Sequence, residues 1–468
     1  MGDRAVAVSS NVRFRDVVMR GHIIDSLALP KAWGVIMDLG GNFNVTELEI
    51  GRTKDDQSYV RMQVIAPDAR TLNQIIGALL RLGATLPDEQ DVVLRPVEVA
   101  GVLPDGFYST TNLPTEVRVG GRWIPVEDIE MDVAIVVDAA DRAALAGPTS
   151  VSMASTGTAT PIRAFCLPMD EVVPSQQVVV GHQGIRVTPP ERARGKEVFG
   201  FMQSSVSSEK VKTLVIQTIA HLMTQVRAEG GKILFVLGPA VIHTGAAKHI
   251  VSLIRRGYIQ VIFGGNAILT HDVEAALFGT SLGIDLKTGE PVEGGNHHHL
   301  RAVNTIRRRG SIAAAIEQGV LKEGIAFEAY HHGVDMVLAG SVRDDGPMPE
   351  VITDTMKAQR RMRAALKGVE MAVMVATMLH SIATGNLLPA TVKTVAVDIN
   401  PAVVTKLADR GTHQAAGLVT DAELFLRELD AALTLLESQE VAAKAAKAAA
   451  EAGIQSARRQ AAATSMKS

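Results

Sequence analysis

The feature that most constrains the fold is a regular alternation of helical patterns and short buried strands over residues 196–437. Helical spacing, as in SSEKVKTLVIQTIAHLMTQVRAEG, separates continuous apolar runs such as KILFVL, YIQVIFGG, VDMVLAGS and KTVAVDIN. Strands that are apolar on both faces and joined by helices are typical of a parallel sheet covered on both sides. The sequence therefore predicts an α/β fold with a C-terminal, doubly wound, Rossmann-like domain.

The first 195 residues show a different organisation. Residues 12–99 follow the order βαββαβ, with DVVLRPVEV as the last strand, which predicts a ferredoxin-like α+β module. Residues 100–195 are rich in Pro, Gly, Thr and Val and predict a small β unit and linker. The alanine-rich residues 438–468 predict a marginal helix and a frayed, non-catalytic tail.

Composition excludes several classes of function. A net charge of -3 without a basic stripe argues against nucleic-acid binding. No apolar run approaches the roughly 20 residues that cross a bilayer, and the N-terminus lacks the apolar centre of a signal peptide. Cys166 is the only cysteine, so an intrachain disulfide and thiolate zinc clusters are excluded, and a cytoplasmic location is expected. Its apolar neighbours favour an inert packing thiol over a nucleophile.

Ligands of such a sheet collect at the carboxyl ends of the strands, where helix N-termini point backbone N–H groups at anions. Two turns there, GPAVIHTGA and GGNAILTHD, suit close approach to a phosphate. Neither has a nucleotide-binding glycine fingerprint, so plain strand-to-helix turns are the alternative. Thr270 or Asp272 also fits a helix cap. The predicted cofactor-binding residues are Gly238, His243, Thr244, Gly264, Gly265, Asn266, Ala267, Asn296, His297, Ala339, Gly340, Ser341, Asp398, Asn400 and Asp421.

The densest polar cluster lies in Ser341–Asp345, before Gly346-Pro347. A solvated turn would explain the glycine and proline, but an arginine beside two carboxylates suits recognition of an amino acid or a ribose. Asp398 ends the run TVAVD, where its carboxylate can accept both hydroxyls of an adenine ribose and would repel a 2′-phosphate, which favours NAD over NADP. The alternative is a cap for the helix beginning at Pro401.

Three consecutive histidines, His297–His299, suggest a metal site, but adjacent side chains cannot all face one ion, and no metal is predicted. One of them is better suited to proton transfer or phosphate contact. Lys210 follows the serine-rich segment 204–208 in a helix-capping pattern, with an active-site loop as the alternative.

Several blocks, in order, carry a family resemblance over residues 12–436. They are RGHIIDSLALPKAWGVIMDLGGNF with GRTKDDQSYVRMQV, then GHQGIRVTPPER, FMQSSVSSEK, GNHHHLRAVNTIRRRGSI and LAGSVRDDGPMPEVITD. The first resembles the N-terminal region shared by lysine-oxoglutarate reductase/saccharopine dehydrogenase-type proteins and archaeal-type ornithine cyclodeaminases. The others resemble the later parts of those cyclodeaminases, including the C-terminal part of cyanobacterial arginine dihydrolase/ornithine cyclodeaminase fusions. Because the chain begins directly with the ferredoxin-like segment, arginine dihydrolase activity is not expected.

The resemblance implies an enzyme that converts L-ornithine to L-proline and ammonia with catalytic use of NAD. Cα would give a hydride to NAD, the δ-amine would attack the imine, ammonia would leave, and the ring imine would take the hydride back. From their placement, the predicted catalytic residues are Arg343 or Lys210 for the α-carboxylate, and Asp344, Asp345 or His298 for proton transfer.

Two other functions remain open at this point, an NAD-dependent amino-acid or imino-acid dehydrogenase and a non-enzymatic protein that senses an amino acid or nucleotide. Self-association is also expected. This expectation is based on exposed edge strands of the ferredoxin-like module and on the segment KGVEMAVMVATMLHSIA, which is predicted to be an apolar helix. The expected partners are therefore an amino-acid substrate and further copies of the chain, without nucleic acid or membrane.

Overall fold

The computed structural model describes residues 13–24, 27–53, 56–87, 90–138, 162–188, 212–344, 346–409 and 415–465. The chain divides into two compact units. The first comprises residues 1–203, 383–392 and 408–414, and the second comprises residues 204–382, 393–407 and 415–468.

The first unit begins with a small antiparallel sheet. Its elements are β1 (Arg13–Gly21), α1 (Ala28–Asp38), β2 (Asn42–Glu49), β3 (Ser58–Ala66) and α2 (Ala69–Arg81). Over the described part of residues 13–87 the strand order is β1-β3-β2. Alternate residues of β1 and β3, such as Val17 and Met62, are buried in one core with α2 residues such as Ile75. Asp68 caps the N-terminus of α2, where its carboxylate accepts a 2.9 Å hydrogen bond from the Thr71 N–H.

A second, mainly antiparallel sheet follows in the same unit. Its seven strands in the described residues have the order β10-β5-β6-β8-β7-β9-β4. Their bounds are β4 (Val93–Pro96), β5 (Thr115–Val119), β6 (Arg122–Glu127), β7 (Ala134–Asp138), β8 (Arg163–Leu167), β9 (Gln177–Val180) and β10 (Ile185–Val187). Cys166 is buried in this sheet, and burial raises the pKa of its thiol to about 12, so the thiol stays protonated and packs as an apolar group.

The prediction that DVVLRPVEV completes the ferredoxin-like sheet is wrong. Strand β4 pairs with β9 of the second sheet. The edge of β1 is occupied instead by Thr85, which exchanges two backbone hydrogen bonds of 2.7 and 2.8 Å with Val18. A strand pattern predicts extended backbone but not its partner, and here the contacts of the second sheet determine it.

The second unit is built on a parallel sheet, as predicted. In the described residues from 212 onwards, its six strands have the order β15-β12-β11-β16-β17-β18. Their bounds are β11 (Lys232–Leu237), β12 (Val261–Gly265), β15 (Asp335–Ala339), β16 (Val369–Val375), β17 (Lys393–Asp398) and β18 (Ala415–Val419), with a short hairpin of β13 (Thr280–Ser281) and β14 (Ile284–Asp285). The connecting helices are α3 (Lys212–Ala228), α4 (Ala240–His243), α5 (Ala247–Arg255), α6 (Asn266–Phe278), α7 (His298–Arg309), α8 (Ile312–Glu317), α9 (Ile325–His331), α10 (Thr355–Ala365), α11 (Leu379–Leu387), α12 (Pro401–Asp409) and α13 (Ala422–Ser465).

The segment KGVEMAVMVATMLHSIA is not one helix, which corrects the sequence prediction. Residues 369–375 form β16, which pairs with β11 on one side and β17 on the other. Five consecutive residues from Met371 are buried, and a short apolar run buried on both faces cannot be distinguished from a helix by periodicity. The segment therefore does not form the single apolar helix on which part of the self-association prediction rests. In the described residues, no helix combines the length and apolar character needed to cross a membrane.

Candidate active site at the carboxyl edge of the parallel sheet

The order of the parallel strands defines where a ligand is expected. From β11 the chain adds β12 and β15 on one side, and it then returns to add β16, β17 and β18 on the other side. The direction of winding therefore reverses between β11 and β16. In open parallel sheets, ligands bind in the crevice outside the carboxyl ends of the strands at this switch point.

Gly238 and Ala376 lie at the switch point, at the carboxyl ends of β11 and β16. A Cβ atom added to Gly238 would lie 1.8 Å from the carbonyl oxygen of Ala376 and 3.1 Å from Cβ of Thr377. Ala376 has a φ of 53°, a left-handed conformation that a residue with a side chain adopts only at an energetic cost. Gly238, which the sequence predicts to lie close to a phosphate, thus packs against the backbone of the segment after β16.

His380 extends from the same segment over the neighbouring strand ends. Its Cε1 lies 2.9 Å from the position of a Cβ at Gly265, which ends β12. Its ring also hydrogen-bonds to the backbone of Ala339 at the end of β15, and Asp344 is close enough to attract its positive form. Burial nevertheless lowers the pKa of His380, so the imidazole is neutral at neutral pH.

His380 was missed in the sequence because the strand before it was interpreted as a helix. Recognising VEMAVMV as a buried strand would have placed ATMLHS directly after a carboxyl end, where functional side chains are expected.

The predicted cluster after β15 forms a compact loop. The Ser341 N–H and hydroxyl donate to Asp344 Oδ2 at 2.7 Å and Oδ1 at 3.0 Å, and the Arg343 N–H donates to Ser341 Oγ at 3.3 Å. Gly340 and Ile352 close the loop through a 2.9 Å backbone hydrogen bond. Because both oxygens of Asp344 hold the loop, this carboxylate is well placed to orient its neighbours. Arg343 is exposed, and its guanidinium forms no salt bridge with any described residue.

Asn266 supports the same loop from the end of β12. Its side chain is buried, and its Oδ1 accepts a 2.9 Å hydrogen bond from the N–H of Met348. Gly264, two residues earlier, accommodates the Ile268 side chain, whose Cγ2 lies 2.7 Å from the position that a Cβ at this glycine would occupy. Both residues thus have structural partners, while cofactor contact stays a prediction.

Polar side chains also follow β17 and β18. Asp398 Oδ1 accepts a hydrogen bond from the Asn400 N–H at 2.8 Å, and Asn400 Oδ1 in turn accepts from the Ala402 N–H at 3.0 Å, at the start of α12. Asn400, rather than Asp398, therefore caps α12. Asp421 caps α13 through the N–H groups of Glu423 and Leu424. Beside Asp398, the Ile399 side chain is 72% exposed.

A buried polar network joins several histidines on the elements that follow β11 and β12. Glu274, fully buried, accepts from His271 Nδ1 at 2.7 Å and from the Thr280 hydroxyl at 3.0 Å. Thr280 Oγ1 is 2.8 Å from His298 Nδ1. Since the Thr280 proton goes to the carboxylate, His298 Nδ1 must donate, which fixes the protonated nitrogen of that ring.

His243 adjoins this network at its more open side. Its Nδ1 is 2.7 Å from Ser281 Oγ, and its ring lies 4.6 Å from that of His271. Burial and the positive form of His271 lower the pKa of His243 to about 4, so this imidazole is neutral at neutral pH. Across the described residues, no group of three or more His, Cys, Asp or Glu side chains has an arrangement that could hold a metal ion.

The other predicted residues lie apart from these contacts. Asn296 and His297 are exposed, and the hydroxyl of Thr244, which follows α4, donates to the carbonyl of Ala240 in that helix at 2.9 Å. Ala267 lies in the first turn of α6. Lys210 and Asp345 lie outside the described residues.

Asp272 does not cap its own helix. Its buried carboxylate accepts from the N–H groups of Ile325 and Ala326 at 2.7 and 2.8 Å, at the start of α9. Sequence spacing could not show this contact, because the partners lie more than 50 residues apart.

Three family models together match most of the chain. The conserved region of LOR/SDH bifunctional enzymes matches residues 14–113. The first C-terminal region of ArgZ-like arginine dihydrolases matches residues 114–216, and their C-terminal Rossmann fold matches residues 217–429. Ornithine cyclodeaminase from Methanocaldococcus jannaschii is 51% identical over 431 residues, covering 91% of this chain and 97% of that protein. The chain belongs to the ornithine cyclodeaminase family.

The family includes longer cyanobacterial members. The bifunctional arginine dihydrolase/ornithine cyclodeaminase AgrE from Nostoc is 43% identical over 91% of this chain, which spans 59% of AgrE. AgrE has been crystallised as a ternary complex with ornithine and NAD+, with 41% identity, coverage of 94% and 60% of the two chains and a TM-score of 0.48. The apo structure of cyanobacterial ArgZ matches 92% of this chain and 60% of its own, with 36% identity and a TM-score of 0.77.

Proposed function

We propose that this chain is an NAD-dependent ornithine cyclodeaminase that converts L-ornithine to L-proline and ammonia. The observation that carries the proposal is 51% identity with an archaeal ornithine cyclodeaminase over 97% of that protein. AgrE, 43% identical in sequence, has been crystallised with ornithine and NAD+. We also propose a cytoplasmic location, because a lone buried cysteine requires no oxidising compartment.

The strand ends fit NAD in one orientation. A ribose-binding carboxylate is expected one strand away from the switch point. On the β12 side that position has glycines and Asn266, whose amide oxygen already accepts from Met348. On the β17 side, the equivalent position is Asp398, whose Oδ1 accepts a hydrogen bond from the Asn400 N–H. The exposed Ile399 lies beside it. We therefore assign the adenosine half to Asp398 and Ile399, and the nicotinamide half to the side of β12 and β15.

This orientation brings the reactive half of NAD to the loop after β15. When bound, NAD supplies reversible oxidation at Cα of the substrate. Arg343, with no ion-pair partner among the described residues, would bind the α-carboxylate through its planar fork of donors. Asp344 and Ser341 would hold that arginine's loop in place.

Proton transfer requires a group that is neutral at neutral pH and lies at the same edge. His380 meets both conditions, since burial lowers its pKa and its ring contacts the ends of β12 and β15. It would take a proton from the substrate ammonium and return one to the departing ammonia. Ornithine thereby loses one ammonia and closes a carbon–nitrogen bond, with no net oxidation.

The test is to incubate the purified protein with L-ornithine, to quantify proline, ammonia and NADH, and to determine the bound nucleotide. Equal amounts of proline and ammonia without accumulating NADH are expected. NADH formed in proportion to product would indicate an ordinary dehydrogenase instead. No turnover of ornithine by protein that contains NAD would overturn the proposed reaction.

A further inference from the structure

The open edge of the N-terminal sheet is strand β2. The order β1-β3-β2 leaves β2 with a neighbour on one side only among the described residues. Seven of its eight residues are exposed, and Phe43 is half-buried. The opposite edge of the sheet is occupied by Thr85, which pairs with Val18. An open strand presents backbone donors and acceptors that a strand from another chain can pair with.

Apolar side chains on β2 lie on the covered face of the sheet but remain in solvent. Val45 is opposite the buried Met62, and Leu48 is opposite the buried Val60, so both point to the side of α1 and α2. Val45 is nevertheless 41% exposed and Leu48 47%, and Met37 in the last turn of α1 is 60% exposed. The helices thus cover β1, β3 and Phe43, which stacks on Trp33 of α1, and leave Val45 and Leu48 of β2 uncovered.

The strand is complementary to a second copy of itself. A bulge between Val45 and Glu47 shifts the alternation by one residue, so Phe43 and Val45 before it and Leu48 after it share the apolar face. In a two-fold antiparallel pair, residues directly opposite each other share a face. Leu48 of one copy then faces Phe43 or Val45 of the other, which covers the apolar side chains of both.

The same pairing keeps like charges apart. Glu47 and Glu49 point to the polar face with Asn44. The two registers that pair Leu48 with Phe43 or with Val45 place Asn44 of one copy opposite Glu47 or Glu49 of the other, and neither places two glutamates opposite each other. Asn44 can donate a hydrogen bond to a carboxylate. The sequence NFNVTELE has no lysine or proline, so the bulge and the two glutamates are its only features of the kind that protect an edge strand.

We propose that β2 is the surface through which two copies of this chain associate. The two three-stranded sheets join across a two-fold axis near Thr46 into one antiparallel sheet, and Phe43, Val45, Leu48 and Met37 of both copies become buried. The inference rests on the N-terminal sheet alone and is independent of the reaction proposed above.

The mass of the full-length protein in solution tests this surface. Light scattering should give at least twice the 49.7 kDa chain mass for the wild type and half of the wild-type mass for Leu48→Glu. Leu435→Glu, at a residue that is 57% exposed on α13, is the control and should keep the wild-type mass. A wild-type protein of 49.7 kDa, or a Leu48→Glu variant with the wild-type mass, would overturn the proposal.

A cross-link tests the position of the two-fold axis. Thr46 is next to the axis in both registers, so two copies of Thr46→Cys lie within the roughly 4.4–6.8 Å Cα separation that a disulfide spans. Mild oxidation should give a covalent dimer on a non-reducing gel, whereas Thr434→Cys on α13 should not. Cys166 is buried and cannot interfere. A wild-type dimer whose Thr46→Cys form does not cross-link would assign the contact to another surface.

Discussion

Gly238 and Ala376 meet where the parallel sheet reverses its direction of winding, and a Cβ at residue 238 would lie 1.8 Å from the Ala376 carbonyl oxygen. The contact allows the chain after β16 to pass the end of β11 and to bring His380 to the ends of β12 and β15. A glycine at this position thus shapes the candidate site through backbone packing.

Gly238→Ala should therefore lower the free energy of unfolding by at least about 2 kcal/mol, because the two backbones would have to separate. Urea unfolding measures the change. Gly34→Ala is the matched control, since a Cβ at Gly34 in α1 meets nothing within 4 Å and should stabilise the helix by up to about 1 kcal/mol. Equal stability of Gly238→Ala and the wild type would contradict the packing argument.

Asp272 should make stability depend on pH in an unusual direction. Burial raises the pKa of its carboxyl from the ordinary 3.8 to about 6. The folded protein therefore binds more protons than the unfolded chain between these values, so the contribution of Asp272 is fully present below about pH 4 and is lost as the pH rises through about 6. Relative to Asp272→Asn, the wild type should lose up to about 3 kcal/mol between pH 4 and pH 7.

Urea unfolding of both proteins at the two pH values measures this difference. Asp354→Asn is the control, because hydrogen bonds from the Lys357 and Met356 N–H groups lower the pKa of Asp354 from the ordinary 3.8, so its difference from the wild type should change little between pH 4 and pH 7. The contribution of Asp354 is present above its ordinary pKa and is lost as the pH falls. Parallel pH profiles for wild type and Asp272→Asn would show that the carboxyl titrates normally.

His380→Ala should reduce kcat/KM for ornithine by roughly 100-fold or more, because the variant lacks the group that transfers protons at the reacting atoms. The loss should fall mainly on kcat if His380 transfers protons. His380→Gln can keep the hydrogen bond to the Ala339 backbone and should restore stability without restoring kcat. Steady-state kinetics and thermal melting separate the two effects, with His331→Ala, an exposed histidine at the end of α9, as the control. Full activity in His380→Gln would leave only a positioning role.

Arg343→Ala should raise KM for ornithine by about 100-fold, because a charge-assisted bidentate contact with the α-carboxylate would be lost. Arg343→Lys should recover part of that loss through its single charge. Initial rates give KM for each variant. The control is Arg309→Ala, which removes a different exposed arginine, at the end of α7. An unchanged KM in Arg343→Ala would assign carboxylate binding to a different residue.

Asp398→Ala should weaken NAD binding by about 10- to 100-fold, because the carboxylate would no longer accept the ribose hydroxyls. Calorimetric titration of nucleotide-free protein measures the dissociation constant. Asp285→Ala removes a carboxylate that accepts hydrogen bonds from the Lys287 and Thr288 N–H groups of its own turn, and it should leave that constant unchanged. If Asp398→Ala binds NAD as tightly as the wild type, the adenosine half lies elsewhere.

The sequence by itself determined the class of the C-terminal domain and its family. Continuous apolar runs such as KILFVL can be satisfied only by burial on both faces, and helices between them require parallel pairing. The caps formed by Asp68 and Asp421 use only local contacts with N–H groups two or three residues away, although the sequence predicts Asp421 as a cofactor-binding residue and not as a cap.

Only the tertiary structure decided which strands pair and which distant side chains meet. The run VEMAVMV forms a strand that pairs with β11 on one side and β17 on the other. Strand β4 belongs to the second sheet and not to the first, because it pairs with β9. The contact of Asp272 with α9 and that of His380 with β12 and β15 join residues far apart in sequence. Periodicity reports what one segment can bury, whereas these contacts depend on the positions of other segments, which no local pattern contains.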